Sequence, residues 1–550
     1  MLTALGLANF KAFAAAQRIP IRPLTLIFGP NSSGKSSIIH SLVLARHALE
    51  TGELDVHRTH VGGEAVDLGG FNQYIYRRDA SRRMQWTMEL DTGSLRGRLA
   101  ELLAPVATVA VNLSLGMSLD NEGRPLAGAK PEVDSYEVIG DGTTLLRMSR
   151  RRDSRLQLDR IDHEHPVFRE VVRAIVETST TAAGIQPSDY EGLDEAISSV
   201  VPEITATAEK LLPKGLSRSE AFASEGNLSL FPISKGQRRE DLAAAVRFFI
   251  PRRIDELLHG LAEAVEQELL RLQYLGPLRS YPPRHLAFSQ HHDPNWFAGG
   301  GYAWDEVRRD KKIRQAVNAW LGSEEKLQTP YELVVRELVG IDDLEAPMLE
   351  ELEGIVQAGI VDEDDRHGLD ELMWLPDPES MVRSLKQAIR KSPLEKVPEL
   401  GLLDRRTNTL VSHRDVGIGV SQVLPVLVGA YALSGKVLAM EQPEIHLHPA
   451  LQAELADVFI TSALGEQKNT FLLETHSEHL ILRVLRRIRE TADNELPQGM
   501  QPVRPENVAV LYITPTKEGS TVTEIPVRAD GEFAARWPKG FFEERAKELF

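Results

Sequence analysis

The residues with the clearest chemistry lie near the start of the chain. Gly29-Pro-Asn31-Ser-Ser33-Gly34-Lys35-Ser36 fits the spacing G-x-x-x-x-G-K-[ST] in full. Glycines at both ends let the backbone curl, so that successive N–H groups point at a phosphate. A helix starting at the last residues adds its positive end to the same anion. Lys35 then supplies a point charge to the β- and γ-phosphates, and the Ser36 hydroxyl is a candidate Mg²⁺ ligand. Gly29, Asn31, Ser33, Gly34, Lys35, Ser36 and Ser37 form the candidate phosphate-binding set. The flanks suit this reading: Leu-Thr-Leu-Ile-Phe over 24–28 is an apolar strand pattern, and a helical pattern covers 36–48.

A second group of polar residues lies about 400 residues later. An apolar strand over 437–440 runs into Glu441-Gln442-Pro-Glu444-Ile-His-Leu-His-Pro449. An acid delivered by an apolar strand beside phosphates holds the water shell of Mg²⁺, and Glu441 is placed in that role. A further apolar strand over 470–474 ends in Thr475-His476-Ser477, and His476 is positioned to reach a γ-phosphate. Upstream, Asp415-Val-Gly417-Ile-Gly419-Val-Ser421-Gln422 precedes a helical run over 423–433. Glycines and a serine at a helix start make a second anion-binding surface, with Gly417, Gly419, Ser421 and Gln422 as its candidates. Glu441, Gln442, Glu444 and His476 are the candidate catalytic residues.

These sites need elements to hold them. Strands are expected over 2–10 and 508–513 as well. Alternation over 86–119 and 135–148 predicts an antiparallel β-subdomain. Helical spacing dominates 160–272, and a Pro-rich passage over 276–283 closes that stretch. The expected segments are 1–155, an N-terminal half with the phosphate loop; 156–335, a mainly helical insertion; 336–398, an acidic helical linker; and 399–550, a C-terminal half. The fold class is α/β, a mixed sheet around the phosphate loop with an antiparallel β-subdomain and a helical insertion.

Composition narrows the function. The chain has 550 residues and no cysteine, which excludes disulfides, thiolate metal sites and cysteine nucleophiles and fits a reducing cytoplasm. No stretch of eighteen apolar residues offers a membrane span, and the first residues do not read as a signal peptide. The net charge of −17 argues against general nucleic-acid binding, so any DNA contact must be local. Two basic clusters, Arg77, Arg78, Arg82, Arg83 and Arg147, Arg150, Arg151, Arg152, Arg155, read either as solvated strand ends or as such a contact. Residues 341–379 are acidic, either a solvated face or a docking surface for a basic partner. His446, His448, His476 and His479 have no spacing that forms a zinc site.

Taken in order, the phosphate loop, the glycine-serine signature, the Glu441 strand and the Thr-His pair resemble ABC-type ATPases. Leu7-Ala-Asn9-Phe10-Lys11-Ala-Phe13 looks like the first strand of the RecF, SMC and OLD branch. Glu441 to Pro449, Glu474-Thr-His-Ser-Glu-His479, Tyr274-Leu-Gly-Pro-Leu-Arg279-Ser-Tyr-Pro and Trp537-Pro-Lys-Gly-Phe-Phe542 resemble the OLD-like AAA-family ATPases of bacteria. The resemblance implies a head closed from two chain halves, binding ATP and Mg²⁺. Two heads would sandwich two ATP molecules, giving a homodimer or higher homo-oligomer, with Gly417, Gly419 and Ser421 capping the γ-phosphate of the other copy. Gln73 is the candidate glutamine that joins Mg²⁺ to the signature half, so Ser36, Gln73 and Glu441 form the expected Mg²⁺ set.

Two departures from that family stand out. The signature reads Gly-Ile-Gly-Val-Ser-Gln, which blurs by a position or two which residue meets ATP. Gln442 stands where most ABC-type ATPases have a glutamate, and a neutral amide cannot accept the proton. Slow hydrolysis and a long-lived closed form are therefore expected, unless Glu444 or His476 substitutes. About seventy residues follow His476, and they contain no Asp-x-Asp pair for two-metal nuclease chemistry. By analogy with stand-alone anti-phage ATPase subunits, such as the Septu-type subunit PtuA, a separate effector, a nuclease, is the expected partner. A RecF-like DNA-repair clamp and a non-hydrolysing ATP-binding scaffold are the alternatives.

Overall fold

In this computed structural model the described residues are 1–151, 155–179, 193–208, 210–216, 238–279, 295–323, 329–360, 378–394, 396–411 and 418–538. They fall into two compact units. One comprises 1–280, 292–303 and 421–550, and the other 281–291 and 304–420.

The first unit holds two sheets. β1 (Leu2–Ala8) and β2 (Gln17–Pro20) form its opening hairpin, and β3 (Leu24–Phe28) leaves them for the second sheet. β4 (Met84–Asp91), β5 (Thr108–Gly116), β6 (Glu132–Gly140), β7 (Thr143–Arg150), β8 (Leu156–Ile161) and β9 (Thr205–Ala206) complete an eight-stranded antiparallel sheet in the order β2-β1-β4-β5-β6-β7-β8-β9. Along β4 every second residue is buried, from Met84 through Trp86 and Met88 to Leu90, as one covered face requires. The helix Arg238–Leu270 packs on the helices Pro166–Ser179 and Leu193–Val200, within the stretch where helical spacing dominates.

The second sheet carries the chemistry. β10 (Leu272–Leu275), β14 (Val437–Glu441), β15 (Thr470–Glu474), β3 and β16 (Val508–Thr516) run parallel, and β17 (Gly519–Glu524) closes the edge antiparallel to β16. β3, β14 and β15 are buried at every residue, as expected for parallel strands covered on both faces. Leu24 of β3 faces Phe471 on one side and Val508 on the other, so the chain's first residues sit between its last strands. The strand expected over 437–440 extends one residue further, which makes Glu441 a strand residue. β10 was not expected. Four residues of apolar character do not distinguish a strand from the end of the preceding helix.

In the second unit β11 (Tyr331–Leu338), β12 (Val397–Asp404) and β13 (Thr409–Val411) form a small antiparallel sheet. The helices Lys311–Gly322, Ile341–Ile360 and Pro378–Lys391 accompany it. Of the acidic stretch, 361–377 lies outside the described residues, as do Arg152 and His291-His292-Asp293. Among the described residues no helix is long and apolar enough to cross a membrane.

Packing of the central sheet sets a stability test. The Phe471 ring on β15 is fully buried, with its centroid 4.9 Å from that of Phe459. Phe471→Ala should cost about 3–5 kcal/mol in the urea transition of the first unit. Leu410→Ala on an exposed edge of the second unit should change stability by less than about 0.5 kcal/mol. Equal effects would show that the burial of β15 does not hold in solution.

Candidate functional site

The loop after β3 is built for close approach. Gly29 and Gly34 have φ of +148° and +99°. A Cβ on Gly29 would lie 2.7 Å from the Ile513 carbonyl oxygen, and one on Gly34 would lie 2.5 Å from Ala12 Cβ. Neither position admits a side chain without moving backbone or the turn between β1 and β2. Ser33 is fully buried and its Oγ has no hydrogen-bond partner, while Ser520 Oγ donates to the Ser33 carbonyl at 2.6 Å. A curled backbone holding an orphaned hydroxyl is the chemistry a phosphate would satisfy. Asn31 is exposed on the outer rim, and Ser37 is buried in the first turn of the helix Lys35–Thr51.

Lys35 is 4% exposed and folds back over the loop, donating to the carbonyls of Gly29 at 3.1 Å and Pro30 at 3.0 Å. Ser36 Oγ donates to Glu474 Oε2 at 2.6 Å, and Glu474 Oε1 lies 3.9 Å from the Lys35 ammonium. Glu474 and Glu441 are direct neighbours at the carboxyl ends of β15 and β14. Burial, reinforced by the Glu441 charge, raises the Glu474 pKa to about 7. Burial also lowers that of Lys35, against the pull of Glu474 and Glu441. Both shifts say that desolvation outweighs the attraction between the two groups.

Glu441 accepts from Tyr274 Oη at 2.9 Å and bonds His40 Nε2 at 3.0 Å. Lys11 Nζ lies 2.7 Å from His40 Nδ1, so a chain of polar groups leads from Lys11 to the Glu441 carboxylate. Burial lowers the Lys11 pKa to about 8. Gln442 takes φ +46°, and its N–H donates to the Glu474 carbonyl at 2.8 Å. The 5%-exposed Arg279 donates to the carbonyls of Gln422 (3.1 Å), Glu441 (3.3 Å) and Gln442 (3.0 Å). Gln422 Nε2 donates back to the Arg279 carbonyl at 3.3 Å. Glu444 accepts the His476 backbone N–H at 2.7 Å, and burial raises the Glu444 pKa. The half-buried His476 ring has its pKa lowered by burial and by the Lys35 charge.

The fold therefore gathers the phosphate loop, Glu441, Gln442, Glu444 and His476 at one end of one sheet. Ser421 and Gln422 are buried on the helix Ile418–Ala432, which also carries Gly419. Gly417 lies outside the described residues. Gln73 is exposed on the short helix Phe71–Tyr74, and it has no hydrogen bond to Ser36 or Glu441. Sequence reasoning quoted Lys11, Tyr274, Arg279 and Glu474 only within the motifs of the resemblance and gave none of them, nor His40, a role in the site. Two signals were present. His40 stands four residues after Ser36, one helical turn on, and Glu474 closes its strand in register with Glu441. No group of three or more His, Asp or Glu among the described residues could hold a metal by itself. That donor set suits Mg²⁺ held by one hydroxyl, one or two carboxylates, water and substrate phosphates.

The Glu474 shift has a definite sign. A carboxyl that binds its proton more tightly folded than unfolded stabilises the fold fully below about 4.5, and that contribution disappears as pH rises to about 7. Without metal or nucleotide, stability should fall over that window by about 3 kcal/mol relative to Glu474→Gln. Denaturant curves at a series of pH values measure it, and parallel profiles for the two proteins would contradict the shift.

Known proteins point to the same sheet. Residues 273–483 match the family described as "AAA domain, putative AbiEii toxin, Type IV TA system". Residues 503–550 match the family described as "Protein of unknown function (DUF3696)". No curated protein matches. Among solved structures, the SMC head bound to the C-terminal winged-helix domain of ScpA aligns at 9% identity and TM-score 0.34, covering 96% of this chain and 98% of that one. An SMC head with an extended coiled coil bound to the C-terminal domain of ScpA, derived from Pyrococcus furiosus, aligns at 11% and 0.33, covering 100% and 98%. The SMC head of Thermotoga maritima aligns at 8% and 0.31, covering 96% and 99%. The AAA-domain match spans β10, β14 and β15, the strands that end at Glu441 and Glu474 beside the glycine loop after β3 in this mixed α/β fold.

Proposed function

We propose that this chain is a slow Mg²⁺-dependent ATPase whose ATP-bound form is a long-lived homodimeric switch, and that it controls a separate effector, a nuclease, in cytoplasmic anti-phage defence. The observation that carries the reading is one cluster at the sheet end. A glycine cradle with an orphaned Ser33 hydroxyl and a buried Lys35 faces Glu441 and Glu474, and Gln442 directly follows Glu441, which supports reading it as the residue in place of a base.

In this reading Gly29, Asn31, Ser33, Gly34, Lys35 and Ser37 hold the phosphates. Ser36 and Glu441 hold Mg²⁺, with Gln73 as a third candidate. Bound Mg²⁺ neutralises the charge that develops on the transferred phosphoryl group. Ser36 Oγ would offer a lone pair to the cation while its proton stays on Glu474, whose ionised form the added positive charge would favour. His476 senses the γ-phosphate. Gln442 orients the attacking water by hydrogen bonding but takes no proton, so Glu444 is the remaining candidate base. Gly417, Gly419, Ser421 and Gln422 form the surface that caps the nucleotide of the second copy. ATP and water yield ADP and phosphate.

The effector assignment rests on charge. Asp343, Glu345, Glu350 and Glu353 on the helix Ile341–Ile360 are exposed, which suits a basic partner. Direct DNA binding has less support. Arg82 and Arg83 pair with Asp79 and Asp134, and Arg147 and Arg150 pair with Glu137 and Glu132.

ATP turnover measured beside ATP-dependent assembly tests the proposal. Wild type should turn over below about 1 s⁻¹, the low end for enzymes, and assemble with ATP. Lys35→Ala should lose both, and Gln442→Glu should raise turnover at least about tenfold, since general-base help is typically worth about 10²–10⁴-fold. Brisk wild-type turnover that Gln442→Glu leaves unchanged would refute the slow switch.

A further inference from the structure

The last described stretch of the chain, 508–538, supplies none of the candidate catalytic or phosphate-binding residues, yet it meets the phosphate loop at three places. At the first, β16 runs beside β3 and brings the Ile513 carbonyl oxygen against Gly29. At the second, the Ser520 hydroxyl on β17 donates to the Ser33 carbonyl at 2.6 Å. Ser520 is 6% exposed, and its own N–H donates to the Ala12 carbonyl at 2.8 Å, so the hydroxyl is anchored to the turn between β1 and β2. The third contact is aromatic. The Trp537 ring meets Phe28 edge-on with centroids 5.4 Å apart, and it meets Tyr512 at 6.0 Å and Phe533 at 4.9 Å. Phe28 is the last residue of β3, directly before Gly29, and Tyr512 is its partner in register on β16.

The Ser520 contact has a directional consequence. A trans peptide unit is planar, with its C=O and N–H on opposite sides. Holding the Ser33 oxygen toward Ser520 therefore turns the Gly34 N–H away from β17. That N–H has no acceptor among the described residues. A backbone donor left open in a curled glycine loop is what an incoming phosphate oxygen takes. The aromatic contact acts on the other end of the loop, where it packs the strand end from which the loop departs.

We infer that 508–538, which lies within the match to the family of unknown function, is the buttress that pre-sets the phosphate loop, with Ser520 and Trp537 as positioning residues for the nucleotide's phosphates. Ser520 aims the Gly34 N–H, and Trp537 holds the end of β3. Both act through the loop. A loop already curled loses less freedom on binding than one that must first order, and the buttress raises affinity by that difference. The inference rests on the reading of 29–37 as a phosphate site.

The test is a calorimetric titration of the full chain with ADP and Mg²⁺, since ADP carries the β-phosphate but is not turned over. Wild type should bind, and Lys35→Ala should lose binding. If either fails, the phosphate-site reading falls and takes the buttress with it. Ser520→Ala should weaken ADP at least about fivefold, within the range of one lost hydrogen bond. Ser520→Thr, which keeps the hydroxyl, should recover most of that loss. Trp537→Ala should weaken ADP at least as much, and Trp537→Phe less. Phe168→Ala truncates a buried ring on the helix Pro166–Ser179 and measures what general destabilisation does. It should lower the urea midpoint more than Ser520→Ala does, yet leave ADP affinity within about twofold of wild type. Suppose wild type binds and Lys35→Ala does not. Wild-type affinity in Ser520→Ala or in Trp537→Ala then overturns the buttress alone, and so does an equal loss in Phe168→Ala.

Discussion

The site depends on placing two carboxylates side by side with little water. Glu441 and Glu474 end adjacent parallel strands, and both are less than a tenth exposed. Like charges at such a position repel, and the medium does little to screen them. Every polar neighbour can be read as a response to that repulsion. Tyr274 and His40 bond to Glu441, and Ser36 and Lys35 attend Glu474. A cation is what this arrangement most lacks, and an Mg²⁺–nucleotide would bring one. The site is therefore least comfortable when empty, which makes ligand binding a source of stability as well as of chemistry.

The same constraint explains the buried arginine behind the site. Arg279 spends its guanidinium on carbonyl oxygens from two separate segments, the turn after β14 and the start of the helix Ile418–Ala432. Carbonyls do not compensate a full positive charge, and burial lowers the Arg279 pKa accordingly. What the contact provides is geometry. Gln442 is held in a left-handed conformation beside a fixed neighbour, and Gln422 is bonded in return.

Much of this was legible in the sequence, and the reasons for the rest are physical. The phosphate loop was readable because glycine spacing, a preceding apolar strand and a following helix all had to coincide. Strands 24–28, 437–440 and 470–474 were readable because parallel strands covered on both faces are continuously apolar. β10 was not, since its four residues carry no period. The partners of Glu441 were hidden for another reason. Tyr274, His40 and Lys11 come from three distant segments, and no local pattern announces a contact made across hundreds of residues. Glu474 was visible as the end of its strand, but only the register with β14 reveals that it shares a site with Glu441.

The position of β3 has a consequence for how the chain comes to be folded. Its flanking strands, β15 and β16, lie more than four hundred residues downstream, and Leu24 contacts both. On a ribosome the phosphate loop emerges early, just behind a hairpin that belongs to the antiparallel sheet. The strand that carries it must then wait, apolar on both faces, until nearly the whole polypeptide has been made. Long-range parallel pairing of this kind is slow and leaves sticky edges open meanwhile. Every strand of the antiparallel sheet is thus made before the two strands that flank β3.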